Sequence, residues 1–270
     1  MSFKNQKENA LYDLVGVIPA AGTGSRLGRL PGSKELLPVR FHKNHTDRQL
    51  QPKVVSHFLL ERMQRANVSK AYLILRKGKW DIPNYFGDGK MLDMHIAYLL
   101  MDLPFGVPFT IDQAYPFIKD SSVVFGFPDI IFEPEDAFLH LLTKKDESKA
   151  DIVLGLFEAK DFHREDMVSV DKNGCVEEIE IKPSITKFRY TWLIAVWGAS
   201  FTEFVHEFVS DKAKIFMNQS SKKPKEIFMS DVIIEAIRYN LKVVSIIFYK
   251  GRYLDMGSLD NLGKTYRSIY

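Results

Sequence analysis

Val17-Ile18-Pro19-Ala20-Ala21-Gly22-Thr23-Gly24-Ser25-Arg26-Leu27, continued by Ser33-Lys34-Glu35-Leu36-Leu37-Pro38-Val39, decides how this chain is read. An apolar strand runs straight into a glycine turn. The turn is followed by an arginine and, eight residues further on, a lysine. Gly22 and Gly24 lack a Cβ and can take positive φ, so consecutive backbone N–H groups from Ala20 and Ala21 onward can point at one anion. Thr23 and Ser25 add hydroxyl donors. Arg26 offers a planar fork that matches phosphate oxygens, and Lys34 a compact charge on a flexible stem that can follow a moving group. Together these residues suit a polyphosphate.

Spacing excludes two common phosphate-loop types. The dinucleotide fingerprint needs G-x-G-x-x-G, but the glycines fall at 22, 24 and 28, one residue too far apart. Gly28 to Gly32 is a G-x-x-x-G step followed by Ser33-Lys34-Glu35, which lacks the spacing and the Gly-Lys-Ser/Thr end of a P-loop. The seven histidines form no metal-ligand spacing, and no nucleophile elbow occurs. Zinc and serine-hydrolase chemistry therefore have no support.

Composition bounds the rest. With 270 residues and 46% hydrophobic content, residues 1–270 can form one domain with a large core and no additional domain. The single Cys175 cannot pair within the chain, Met1 to Asn9 is polar throughout, and no apolar run reaches membrane-spanning length. A compact cytoplasmic protein without membrane contact is expected, and a homo-oligomer is compatible with it. A net charge of +3 is too mild to argue for nucleic acid. The basic run Lys222-Lys223-Pro224-Lys225 reads as a solvated loop.

Period and punctuation give alternating strands and helices, the pattern of an α/β fold with a mainly parallel, Rossmann-like sheet and helices on both faces. Strands are expected at Leu14–Ala20, Ala71–Arg76, Ser122–Phe125, Asp151–Phe157 and Lys242–Tyr249. Helices are expected at Val54–Arg65, Pro134–Leu142, Phe201–Val209, Ser230–Tyr239 and Ser258–Ser268. Ser230-Asp231 and Ser258 stand where helix N-caps belong. Val168–Ile181, with Asp171-Lys172-Asn173-Gly174 between apolar arms, predicts a small antiparallel hairpin. Ligands of such sheets sit at the carboxyl ends of strands, where the glycine loop lies.

On these residues the chain resembles the sugar-phosphate nucleotidyltransferases, such as glucose-1-phosphate thymidylyltransferase. Their signature is an apolar strand, A-A-G-x-G-[ST]-R-[LM], then a lysine in K-x-L-L-P-V. Further segments extend the resemblance. Phe86-Gly87-Asp88-Gly89 is similar to the family's F-G-D-G, although alone it reads as a turn. Leu103-Pro104-Phe105-Gly106-Val107-Pro108 is similar to the loop that approaches the nucleobase, with Gly106 small enough to lie against a flat ring. The base-reading glutamine five residues earlier is replaced by Met101, which leaves the base open, and Gln113 falls in the following helix.

Val123-Val124-Phe125-Gly126-Phe127-Pro128-Asp129 looks like the strand that ends in the metal-binding Gly-Asp, with Phe127 and Pro128 inserted. Asp129 reaches the metal if that loop bulges and is a turn residue if it does not. Asp255 in Tyr253-Leu254-Asp255-Met256-Gly257-Ser258 matches the second metal aspartate. Two such carboxylates suit Mg2+, which keeps room for phosphate oxygens and water. Ile179-Glu180-Ile181-Lys182-Pro183 resembles E-E-K-P, so Lys182 and Glu180 are the implied sugar-phosphate residues and Ile181 replaces the second glutamate. An exposed lysine at a strand end is the alternative for Lys182. Glu226 to Asp231 is similar to the E-x-x-x-T-D helix start and reads as a cap.

The resemblance implies Mg2+-dependent transfer of a nucleotidyl group from a nucleoside triphosphate to a sugar 1-phosphate. Arg26 and residues 20–25 would hold the β- and γ-phosphates, and Lys34 would follow the α-phosphate. The departures at Met101, at 127–128 and at Ile181 also admit a catalytically inactive, nucleotide-sugar-binding regulator of the same fold. A nicotinamide-dependent dehydrogenase is disfavoured by the glycine spacing. Because Asp255 lies near the carboxyl end, no attached acyltransferase module is expected.

Overall fold

The computed structural model describes residues 13–24, 27–28, 30–43, 50–102, 105–218 and 225–257. The chain begins with β1 (Leu14–Pro19), the hairpin of β2 (Pro38–Lys43) and β3 (Leu50–Val54), and α1 (Val55–Arg65). It continues through β4 (Lys70–Arg76), α2 (Asp81–Phe86), β5 (His95–Met101), α3 (Val107–Asp112), α4 (Tyr115–Ile118) and β6 (Ser122–Gly126). The short β7 (Ile130–Glu133) leads to α5 (Ala137–Ser148), β8 (Ile152–Glu158), β9 (Asp166–Val170), β10 (Val176–Ile181) and β11 (Tyr190–Trp197). Last come α6 (Ala199–Asn218), α7 (Met229–Arg238), β12 (Val243–Ile247) and β13 (Arg252–Asp255).

Among the described residues nine strands share one sheet. Its parallel heart is β6-β1-β4-β5, so the loops after these four strands leave the same edge. Strand β11 runs against this quartet. Its carboxyl half pairs with β6 (Ile194↔Gly126 to Trp197↔Val123), and its first two residues pair with β9 (Tyr190↔Val168, Thr191↔Met167). The β9–β10 hairpin therefore stands just past the carboxyl end of β6, on the edge where the parallel strands finish. On its other side β11 pairs with β8, and β12 adds to β8 in parallel.

Both faces are covered, as an α/β sheet with apolar strands requires. One core cluster gathers Leu59, Leu60 and Met63 of α1 with Phe132, Phe138 and Leu141. The other gathers Phe109, Ile118, Trp197, Phe201, Val232 and Ile233 under α3, α4, α6 and α7. Among the described residues no helix is long and apolar enough to cross a membrane.

The hairpin turn forms as its sequence predicts. Asp171 Oδ1 accepts from the N–H groups of Asn173 and Cys175, both at 2.8 Å, and Gly174 takes φ +82°. The five predicted strands are present with ends moved by one or two residues. The helix expected from Pro134 begins instead at Ala137, because residues 134–136 turn into its N-cap Asp136, and it runs on to Ser148. The helix expected at Phe201–Val209 extends over Ala199–Asn218. The N-cap of α7 is Phe228 rather than Ser230: Asp231, at the third helical position, accepts from the Phe228 N–H at 2.7 Å. This is half of a capping box, since Phe228 has no side-chain acceptor. The helix expected at 258–268 lies outside the described residues.

Gly16 shows how closely α1 is packed on β1. A Cβ there would lie 2.9 Å from Met63 Sδ and 3.1 Å from Ala71 Cβ. Gly16→Val is expected to lower unfolding stability by about 1–3 kcal/mol through overpacking, read as a lower urea midpoint with unchanged slope.

Candidate active site

The glycine loop leaves β1 between β4 and β6. Ala20 donates its N–H to Ile74 O at 2.8 Å, Ala20 and Ala21 are buried, and Gly22 and Thr23 are exposed. Gly24 takes φ +66°, and its carbonyl accepts from the Leu27 N–H at 2.9 Å. Gly22 does not use the left-handed region and has open space where a Cβ would stand. The conformational freedom expected of both glycines is thus spent at Gly24 alone. Ser25 and Arg26 lie outside the described residues.

Lys34 opens a 3-10 turn, Lys34–Leu36, that is fixed from three directions. Asp81, at the first position of α2, accepts from the Ser33 N–H at 2.6 Å and from Ser33 Oγ at 2.7 Å. Glu35 is buried and takes both its carboxylate bonds from Lys79 Nζ, at 2.7 and 2.8 Å. Ser56 Oγ donates to the Glu35 carbonyl at 2.6 Å. Burial lowers the Lys79 pKa, and the charge and hydrogen bond of Glu35 oppose that shift. A Cβ on Gly24 would lie 3.9 Å from Lys34 Cδ, so the lysine stem runs under the glycine loop. Its ammonium reaches Asp129 Oδ2 at 2.5 Å.

Asp129 ends the turn Phe127-Pro128-Asp129-Ile130, closed by the Ile130 N–H donating to Phe127 O at 3.2 Å. The two inserted residues therefore bulge. Strand β7 then pairs with β13 so that Asp255 lies opposite Ile130, and Met256 donates its N–H to Asp129 O at 2.8 Å. The Gly257 N–H donates to Asp255 Oδ1 at 2.7 Å. A Cβ on Gly257 would stand 2.9 Å from both Asp129 Oδ2 and Asp255 Oδ1, so the two oxygens are within twice that distance of each other. Tyr253 anchors this strand by donating its hydroxyl to Glu165 Oε1 at 2.6 Å. The described residues hold no cluster of three His, Cys, Asp or Glu, and these two converging carboxylates are the donors that could hold a hard cation if phosphate and water supplied its remaining positions.

Gly106 answers to a constraint that its sequence context did not reveal. It takes φ +129° and bridges in parallel to Ile227, and a Cβ would lie 1.8 Å from Ile227 O. The chain's own backbone requires the glycine there. Met101 is the buried last residue of β5, Gln113 caps the end of α3, and Leu103-Pro104 lie outside the described residues. Residues 86–89 form a turn after α2, with Gly87 and Gly89 at positive φ.

Lys182 follows β10 with φ +45°, and its ammonium sits 3.7 Å from the centre of the Phe228 ring. Glu180 pairs with Met167, whereas Ile181 pairs with Asp166. Paired residues share a face and neighbours alternate, so Glu180 projects opposite to Ile181 and Asp166.

Solved structures similar to the chain include a protein from Bacillus anthracis described as a glucose-1-phosphate thymidylyltransferase, in complex with a sucrose (TM-score 0.74, 18% identity, covering 94% of each chain). The chain carries the fold of the sugar-phosphate nucleotidyltransferases. A UDP-glucose pyrophosphorylase complexed with UDP-glucose is similar as well, with TM-score 0.71 and 14% identity over 95% of this chain and 98% of that one. In sequence, the chain is 26% identical over 171 residues to the low-salt glycan biosynthesis nucleotidyltransferase Agl11 of Haloferax volcanii. That match covers 62% of this chain and 44% of the relative, so it spans less than half the relative's length. No protein-family model matches the chain.

The supports of the Lys34 turn, Asp81 and the Glu35–Lys79 pair, were not found from the sequence. Lys79→Ala would leave Glu35 as an uncompensated buried charge and is expected to cost about 3–5 kcal/mol. The double replacement Glu35→Met with Lys79→Met should recover most of that stability, as measured by urea unfolding.

Proposed function

We propose that this protein transfers a nucleotidyl group from a nucleoside triphosphate to a sugar 1-phosphate, releasing pyrophosphate. The observation that carries this reading is the meeting of Lys34, Asp129 and Asp255 beside Gly24 at the carboxyl edge of the parallel strands. The related nucleotidyltransferase and the fold shared with enzymes of nucleotide-sugar synthesis support it.

In this reaction an oxygen of the sugar phosphate attacks the α-phosphorus in line, a new P–O bond forms, and the bond to the β-phosphate oxygen breaks. The nucleophile is already an anion, so no general base is needed. The barrier lies in bringing two polyanions together and neutralising charge as the anhydride breaks. Backbone N–H groups of the loop from Ala20 to Gly24, with Arg26, would hold the β- and γ-phosphates. Lys34 sits on a fixed turn but carries its charge on a flexible stem, so its ammonium can pass from Asp129 to the α-phosphate and leaving group. Lys182 would hold the sugar phosphate. Asp129 and Asp255 would hold Mg2+, which when bound supplies charge neutralisation at the α-phosphate. We place the activity in the cytoplasm, in keeping with a lone cysteine.

The test is pyrophosphate release with magnesium, using the common nucleoside triphosphates crossed with sugar 1-phosphates and phosphorylated alcohols. One productive pair is expected. Lys34→Ala should lower kcat by about a hundredfold or more with the melting temperature almost unchanged, and unaltered turnover would remove Lys34 from the mechanism. Nucleotide binding without turnover for any pair would favour the regulatory binder.

A further inference from the structure

Beside Lys182 stands a carboxylate that nothing so far uses. Asp166 opens β9 directly opposite Ile181, the residue that replaces the family's second glutamate. Cross-strand partners on one face have Cβ atoms about 4.5–5.5 Å apart, so a carboxylate on β9 can serve the space that a glutamate on β10 would serve. Asp166 is held in a fixed orientation. Trp192 Nε1 donates to Ser230 Oγ at 2.9 Å, and Ser230 Oγ donates to Asp166 Oδ2 at 2.5 Å. The other oxygen, Oδ1, is buried and makes no hydrogen bond of good geometry among the described residues, although the Lys182 backbone N–H also acts on this carboxylate. A buried acceptor short of a well-placed donor is costly, and a ligand hydroxyl would reduce that cost. The Lys182 charge acts on the same carboxylate, and its ammonium rests on Phe228, the residue at the start of α7, while Ser230 lies in the first turn of that helix. The Lys182 ammonium and the Asp166 carboxylate therefore both lie beside the start of α7, near enough for their charges to interact. Glu180 also has an unpartnered buried oxygen, Oε2, but its side chain leaves the opposite face of the hairpin.

We propose that Asp166 is the sugar-recognising carboxylate of this chain. Its Oδ1 accepts a hydroxyl of the hexose 1-phosphate whose phosphate is held by Lys182, in place of the glutamate lost at Ile181. This assignment rests on the nucleotidyltransferase reading for its substrate class, but its test does not need turnover. Hexose 1-phosphates and their monodeoxy analogues are titrated calorimetrically into the full chain, with magnesium, in the absence and presence of a non-hydrolysable nucleoside triphosphate. The wild type is expected to bind one hexose 1-phosphate and to lose affinity for the analogue lacking one particular hydroxyl. Asp166→Ala should bind that sugar phosphate about tenfold to a hundredfold more weakly, no longer discriminate against the deoxy analogue, and bind the triphosphate as before. Asp166→Asn keeps an acceptor oxygen and should retain most of the affinity, which guards against a variant that merely fails to fold. Equal sugar-phosphate binding by wild type and Asp166→Ala would overturn the assignment, as would unchanged discrimination or a wild type that binds no hexose 1-phosphate. Sugar and nucleotide binding without pyrophosphate release would overturn the proposed reaction and leave this assignment standing.

Discussion

Burying the Glu35–Lys79 ion pair fixes the turn that carries Lys34, and the geometry of the candidate site follows from that turn. Both charges are almost fully withdrawn from solvent, and both carboxylate oxygens are taken by one ammonium. A pair of this kind contributes little net stability over an apolar pair of the same size, but it tolerates almost no displacement, because moving either partner exposes the full desolvation cost of the other. The segment between Ser33 and Leu37 is pinned at one end by Asp81 and at its middle by Lys79, while Val55 donates its N–H to Leu37 O at 2.9 Å at the far end. From this pinned turn the Lys34 side chain extends to Asp129. A rigid base and a flexible cation are what transfer of a polyanionic group requires.

The rest of the site is assembled by strand geometry. Four parallel strands deliver their carboxyl ends to one edge, and β11, running against them and overshooting β6, carries the β9–β10 hairpin to the same edge. The two-stranded ladder of β7 and β13 then joins residues that are far apart in sequence, so that Asp129 and Asp255 face each other across Gly257. A side chain at 257 would press on both carboxylates. The lack of one spares both.

Much of this was legible in the sequence where the signal is local. The strand-glycine-lysine run, the Asp-Lys-Asn-Gly turn and the helix of Val55–Arg65 all carry their causes in neighbouring residues. Strand β11 was missed because Tyr190–Trp197 is apolar on both faces and shows no period to separate strand from helix. Gly22 and Gly106 had the right residue type, but which glycine takes positive φ, and what stands against it, depends on chain segments folded beside them. The contacts of Lys79 with Glu35 and of Asp81 with Ser33 bridge 44 and 48 residues, and no spacing rule reaches that far. Asp166 lies only 15 positions from Ile181, but its role is visible only once the hairpin register is known.

The Lys34–Asp129 pair links these levels. The two side chains are 15% and 12% exposed, so each charge is largely withdrawn from solvent and the other helps to compensate it. On the proposed reading, a bound triphosphate offers Lys34 oxygens of the same charge and Asp129 a share in a cation. Each group then exchanges one opposite charge for another without passing through an uncompensated state. Such an exchange costs little in a partly dry site, where separating the pair without replacement would be expensive. On that reading, the same pairing keeps two groups of opposite charge poised near the reacting phosphorus before any substrate arrives. Preorganisation of this kind depends on the turn beneath Lys34 and the ladder beneath Asp129 holding their places, and so on the buried Glu35–Lys79 pair and the pairing of β7 with β13.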